Sequence, residues 1–307
     1  MQQGLYALAL IGAVPAAAQE TTTGEITSEA QTDLAAARDS IPPESAEPPF
    51  VDPKTDVFDG DHLIVGLGVG ASSEYDGAST LRLMPAMGAM GRISGINFRV
   101  RGPSITTDLY RDKPGKHLRF RVGPNLRYGG NRSGSVDDPV VAALGELERG
   151  FEAGVSFGAS YRRIFHPYDS LAIGGSVRWD ISGRHGGAIY GTGISYSTPL
   201  SPAQVFGLQL NASFSDNKHA NYNYSVTPEG SAASGLPEYR AKGGLRELSV
   251  GAFTARDLSG DFRDGGFAVG VGVQYGRLKG SAARTPITSI RGTPNQWMLG
   301  GGVAYSF

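Results

Sequence analysis

A transmembrane antiparallel β-barrel of about twelve strands is the architecture to expect of this chain. Three features argue for it: a terminal strand with an aromatic edge, a succession of further runs with a period of two, and connections that alternate between short and long. In residues 296–307 the side chains of Trp297, Leu299, Gly301, Val303, Tyr305 and Phe307 fall on one side, and Gln296, Met298, Gly300, Gly302, Ala304 and Ser306 on the other. A soluble chain rarely ends on an exposed aromatic strand, because an uncovered apolar edge invites aggregation. In a closed membrane barrel the same alternation means lipid outside and lumen inside, with aromatics at the interfaces. Val303, Tyr305 and Phe307 also form the kind of C-terminal signal by which outer-membrane barrels reach the barrel-assembly machinery.

Composition agrees. Glycine makes up 45 of 307 residues, about twice the ordinary usage, without a collagen period. Beyond the first residues no apolar run approaches the roughly 18 that a membrane helix needs, so any crossing is made by strands. The absence of cysteine excludes a disulfide framework, a thiolate metal site and lipid attachment through an N-terminal Cys. Net charge is −1 overall but unevenly spread. Between Gln19 and Asp61 eleven acidic residues face only Arg38 and Lys54, a net of −9, which leaves +8 on residues 62–307.

Residues 1–18 read as a secretory signal peptide, with an apolar run from Gly4 to Val14 and Ala16-Ala17-Ala18 fitting a cleavage site before Gln19. Residues 19–57 are acidic and Pro-rich, too poor in large apolar side chains to offset the entropy of ordering, and are expected to be a disordered periplasmic segment. Residues 58–307 are expected to form the barrel.

Within it, Leu63, Val65, Leu67 and Val69 alternate with Ile64, Gly66, Gly68 and Gly70 in the first run. The second, near residues 80–91, contains Pro85, which a central soluble strand would resist. Ile96, Phe98 and Val100 mark the third, and a short fourth covers residues 104–110. The fifth has the clearest period: Leu118, Phe120, Val122, Leu126 and Tyr128 against Arg119, Arg121, Asn125 and Arg127. Six more runs lie near 147–164, 168–182, 187–199, 203–216, 244–258 and 264–280, and the terminal strand completes twelve. Connections after even-numbered runs are short (92–95, 111–116, 165–167, 200–202 and 259–263), whereas the long ones (129–146, 217–243 and 281–295) all follow odd runs. A barrel with both termini on the periplasmic side predicts that parity, with short turns inside and long loops outside.

The run SSEYDGAS at residues 72–79, Pro85, RGPSITTDLY at 101–110, GPNLRYGG at 123–130 and the Phe-terminated last strand together resemble the MipA/OmpV family of outer-membrane proteins. Glu74-Tyr75-Asp76-Gly77 matches that family's E-Y-x-G pattern and is the most specific element. The resemblance implies the outer membrane of a Gram-negative bacterium and a non-catalytic scaffold role, holding a murein lytic transglycosylase and a bifunctional murein synthase together. Other members are porin-like, so the alternative is a small-solute channel.

Alternation puts Arg99 and Arg101 of strand three, Asp108 of strand four, and Arg119, Arg121 and Arg127 of strand five on lumen-side positions. Strands lie about 4.8 Å apart, so this is a basic ladder with a carboxylate between. In an open pore it favours anions; in a closed lumen the same charges pair with Asp108, Glu152, Asp180 and Glu247. The Glu74–Gly77 turn joins strands one and two outside, with Gly77 supplying a positive φ, Asp76 a turn-forming side chain and Tyr75 an interfacial anchor. The loop carrying Tyr222, Tyr224 and Tyr239 either meets a surface partner or folds over the pore. Five histidines are scattered through strand ends and loops, and no nucleophile elbow, metal-ligand spacing, phosphate loop or nucleic-acid motif occurs. The chain is therefore read as a barrel without enzymatic activity or cofactor, its partners being outer-membrane lipid, the assembly machinery and murein enzymes.

Overall fold

The computed structural model describes residues 57–58, 60–110 and 117–307. The signal peptide expected over 1–18, and all of the segment expected over 19–57 except its last residue, lie outside the described residues. Twelve strands among the described residues form one closed sheet: β1 (His62–Ser73), β2 (Leu81–Ile93), β3 (Ile96–Arg101), β4 (Ser104–Asp108), β5 (Leu118–Gly129), β6 (Gly150–Arg162), β7 (Ser170–Asp180), β8 (Ala188–Ser201), β9 (Gln204–Ser215), β10 (Gly244–Asp257), β11 (Gly266–Leu278) and β12 (Asn295–Ser306). Each pairs antiparallel with its sequence neighbours, and β12 closes onto β1. Closure leaves no full-length edge, which is what lets strands cross a bilayer.

Register puts the two faces where the alternation predicts. Leu67 faces Val303 and Met87, and Val69 faces Gly301, all on the outer surface. On the lumen side Gly68 pairs with Gly302 and Gly302 with Gly270, while Gly70 pairs with Gly300 and Gly300 with Gly272. The middle of the wall formed by β1, β12 and β11 is thus bare backbone.

The β3–β4 hairpin departs from the regular pattern. These strands have only 6 and 5 residues, and pairing of β2 with β3 starts at Gly88 opposite Arg101. Residues 81–87 of β2 have no strand on that side. The Gly102 N–H donates to the Met87 carbonyl, so in an antiparallel ladder Pro85 and Leu83 also turn their backbone groups to the vacant side. Pro85 therefore removes no ladder hydrogen bond, and this is why a strand inside the wall tolerates it.

Both ends hold small cores. At the inner end, where β1 begins and β12 ends, Phe58 packs with the lumen-facing Ile64, Met90, Phe253 and Ala304 and with Phe262 of the β10–β11 turn. At the outer end the long loops carry short helices: α1 (Pro139–Ala142) after β5, α2 (Asn217–Tyr224) and α3 (Pro228–Ser234) after β9, α4 (Gly280–Arg284) and α5 (Pro286–Ser289) after β11. Local chemistry explains them. Asp138 accepts the Val140 and Val141 N–H groups, Asp216 that of His219 and Thr227 that of Gly230, and Pro opens α1, α3 and α5. Tyr75, Val141, Val226, Leu236 and Ile287 form one apolar cluster between the loops, and Tyr224, Ala241, Leu278 and Ala282 another. Each large side chain so buried contributes roughly 1.5–3 kcal/mol.

Candidate functional site: the arginine wall and the outer cap

The lumen-facing positions of β3 and β5 carry the arginines of the basic ladder. Arg101 pairs in register with Ser104 and Ser104 with Arg127, while Arg99 pairs with Thr106 and Thr106 with Asn125. Arg119 lies opposite Ser160, and Arg121 opposite Gly158. The two arginine rows are separated by the small hydroxyls of β4, which leave room for both. A cavity of about 480 Å³ lies against this wall, lined by Arg99, Arg101, Arg119 and Arg121 with Ser195 and Asn211 among its other walls. A second, of about 290 Å³, is lined by Arg101, Gln209, Arg246, Glu247, Ser249 and Gln274. Arg101 borders both cavities, is solvent-exposed, and has no ion pair among the described residues.

The carboxylates behave unequally. Asp108 Oδ1 accepts the Tyr110 and Val122 N–H groups at 3.1 and 3.3 Å. Glu152 meets the ladder at Arg127, whose Nη1 lies 4.0 Å from the oxygen that Arg178 Nε approaches at 3.0 Å. Asp180 instead accepts the backbone N–H groups of Ser182, His185 and Gly186, shaping the β7–β8 turn. A β-bulge at Leu245/Glu247 adds a residue to β10 and brings Arg246 as well as Glu247 to the lumen.

Glu152, His185 and His219 place ligand-type atoms within 4.8 Å of one another. This donor set does not fit a cation. His185 Nδ1 accepts the Gly187 N–H at 3.0 Å, so the neutral ring carries its proton on Nε2, the atom 3.8 Å from Glu152. The carboxylate is already neutralised by two arginines.

Above the lumen, Glu74-Tyr75-Asp76-Gly77 proves to be a junction as well as a turn. Glu74 pairs with Arg82 at 2.6 Å and accepts the Asp137 N–H of the β5–β6 loop. Tyr75, expected at the membrane interface, is only 5% exposed and sits in the core between loops. The Asp76 N–H donates to Asn131 Oδ1, and its carboxylate accepts the Tyr224 hydroxyl and Arg246 Nη1. Gly77 has φ +102° and lies so near Thr288 that a Cβ would meet its Oγ1 at 2.2 Å. Four consecutive residues thus engage all three long loops. Burial alone would raise the Asp76 pKa, but Arg246 and the Tyr224 hydroxyl outweigh it and hold the carboxyl below its usual range. Desolvation, helped by an adjacent carboxylate, pushes the Tyr75 phenol up to about 12. Tyr224, 1% exposed, roofs the lumen, and beside it burial with the charge of Arg246 lowers His219 to about 4. The Tyr222 hydroxyl oxygen accepts the Glu148 N–H at 3.1 Å.

Comparison with known proteins gives a family. An outer-membrane channel from Pseudomonas putida F1 is similar at 10% identity with a TM-score of 0.41, covering 81% of this chain and 96% of that one. The channel DcaP of Acinetobacter baumannii is similar at 10% identity and TM-score 0.34 over 81% of this chain and 98% of its own. The CymD monoaromatic hydrocarbon channel follows at 11% and 0.33, over 80% and 88%. No curated protein matches. The family model for MltA-interacting protein MipA matches residues 65–307, the barrel from its first strand to its last residue, and the chain belongs to that family of outer-membrane β-barrels.

Proposed function

We propose that this barrel is a capped conduit for small anionic solutes, with the arginine wall as its selectivity element. The observation that carries the reading is Arg101, a guanidinium that borders both lumen cavities and has no ion pair among the described residues. An unneutralised positive charge lining a narrow lumen attracts anions into it. Arg99, Arg119 and Arg121 extend the same field along the wall. The loop core over the mouth then acts as the closed state of the outer entrance.

The test is conductance of the purified, refolded protein in a planar bilayer. Wild type should show discrete openings with anion preference. The Arg119→Ala/Arg121→Ala variant and Arg101→Ala should each lose most of that preference while keeping the heat-modifiable gel shift of a folded barrel. A silent wild type, shown by that shift to be folded, would sink the conduit.

The family's description as MltA-interacting protein favours a second reading, a scaffold for murein enzymes that uses the periplasmic turns and residues 19–57. Its test is crosslinking in the envelope: deletion of residues 20–53 should reduce capture of a murein lytic transglycosylase and leave conductance unchanged.

A further inference from the structure

The wall of the barrel is incomplete in one place. Above the short β3–β4 hairpin, residues 81–87 of β2 lack a neighbour on one side, and Leu83 and Pro85 turn backbone groups toward the gap, where they find no hydrogen bond among the described residues. The gap lies at membrane depth. Leu83 shares a rung with Ala71, Ala71 with Leu299 and Leu299 with Val273, just beneath the outer aromatic pair Tyr275–Trp297. Unsatisfied backbone groups are not tolerated against hydrocarbon, only where water reaches them.

Among the described residues, nothing covers the opening. Leu83 is 80% exposed, the lumen-side Met84 is 43% exposed, and Pro85, Arg101, Gly102 and Pro103 are all exposed. The β5–β6 loop crosses higher up, where Arg82 donates to the Ser135 carbonyl and pairs with Asp137. The lower lip is Arg101, the last residue of β3, which also borders both lumen cavities. On the outer side the frame is apolar, made by Leu81, Leu83, Met87 and Ile105.

We propose that the lumen opens sideways to the outer leaflet through this window, which takes a single-chain amphiphile with an anionic head group. The head sits at Arg101, with Arg99 behind it, and the tail leaves between Met87 and Ile105 into lipid. Pro85 keeps the frame open because it offers no N–H with which a strand could seal the gap. The substrate class rests on the anion-conduit reading; the window itself does not.

The chain contains no cysteine, so single thiols report cleanly. Leu83→Cys and Leu299→Cys, on one rung and both facing outward, are placed in the folded protein in lipid vesicles and treated with a membrane-impermeant maleimide. Leu83→Cys should label about tenfold faster, because the reactive thiolate forms only where water reaches it. Equal rates would overturn the window. Binding of a fluorescent long-chain carboxylate is then measured against the alcohol of the same chain. Arg101→Ala should weaken the carboxylate roughly tenfold, through loss of a charge-assisted hydrogen bond, and leave the alcohol unchanged. A carboxylate affinity indifferent to Arg101→Ala would overturn the ligand class. Fast labelling and Arg101-dependent binding in a protein with a silent bilayer would uphold this inference and discard ion conduction.

Discussion

His219 illustrates how a residue that looks incidental in sequence acquires consequences from its surroundings. It is 7% exposed beneath the cap, its ring 4.9 Å from that of His185, with Arg246, Asp76 and Glu152 the charged groups around it. Burial and Arg246 win over the two carboxylates and lower the folded imidazole to about 4, whereas an unfolded one has a pKa of ~6.5. The unfolded chain therefore binds the extra proton first. Stability from a neutral His219 is complete above ~6.5 and declines as pH falls toward 4. Protease cleavage within the β9–β10 loop should accordingly rise between those values, and His219→Gln should flatten the rise. Asp76 acts in a separate, more acidic window: its depressed pKa means that its contribution is lost only as pH falls below the ordinary carboxylate range.

Among the elements, β2 has the most asymmetric environment. Its even-numbered residues bond to β1, and Met84 pairs with Gly70 there, whereas Pro85 faces the vacated side. Moving the proline by one residue reverses its effect. Met84→Pro should remove a membrane-embedded ladder bond and cost about 2 kcal/mol or more, read as a lower urea midpoint. Pro85→Ala should be close to neutral. The terminal strand is regular by comparison: Tyr305 stacks edge-on against Phe267 and Phe307, and the Phe307 N–H donates to the Leu63 carbonyl. The proposed assembly signal of Val303, Tyr305 and Phe307 thus lies along the seam where the barrel closes.

For the molecule as a whole, the proposed conduit makes the cap the element that controls access to the lumen. Apolar clusters from three loops, held by the Glu74–Gly77 junction, sit over the outer mouth. Removing α3 by replacing residues 228–234 with a short polar linker should take Leu236 and Val226 out of register with Tyr75. Single-channel openings should become longer and larger, while the arginine-dependent anion preference persists. No change in conductance would mean that the cap does not limit flow.

Much of this was legible in the chain alone. A period of two in residues such as Leu118–Tyr128, and the parity of short and long connections, determine strand number, facing and closure, because a strand has only two faces and a barrel only two rims. The lumen positions of Arg99, Arg101, Arg119, Arg121 and Arg127 follow from the same alternation. The starts of α1, α3 and α5 are also written locally, in Asp138-Pro139, Thr227-Pro228 and Thr285-Pro286, a signal that the sequence reading did not use. What alternation cannot encode is contact between residues distant in sequence. Tyr75 in a loop core, Asp76 against Arg246 and Tyr224, His185 beside Glu152, and the gap above β3–β4 all depend on which loop arrives beside which strand. Those meetings are decided only when the sheet closes and the rims bring the loops together.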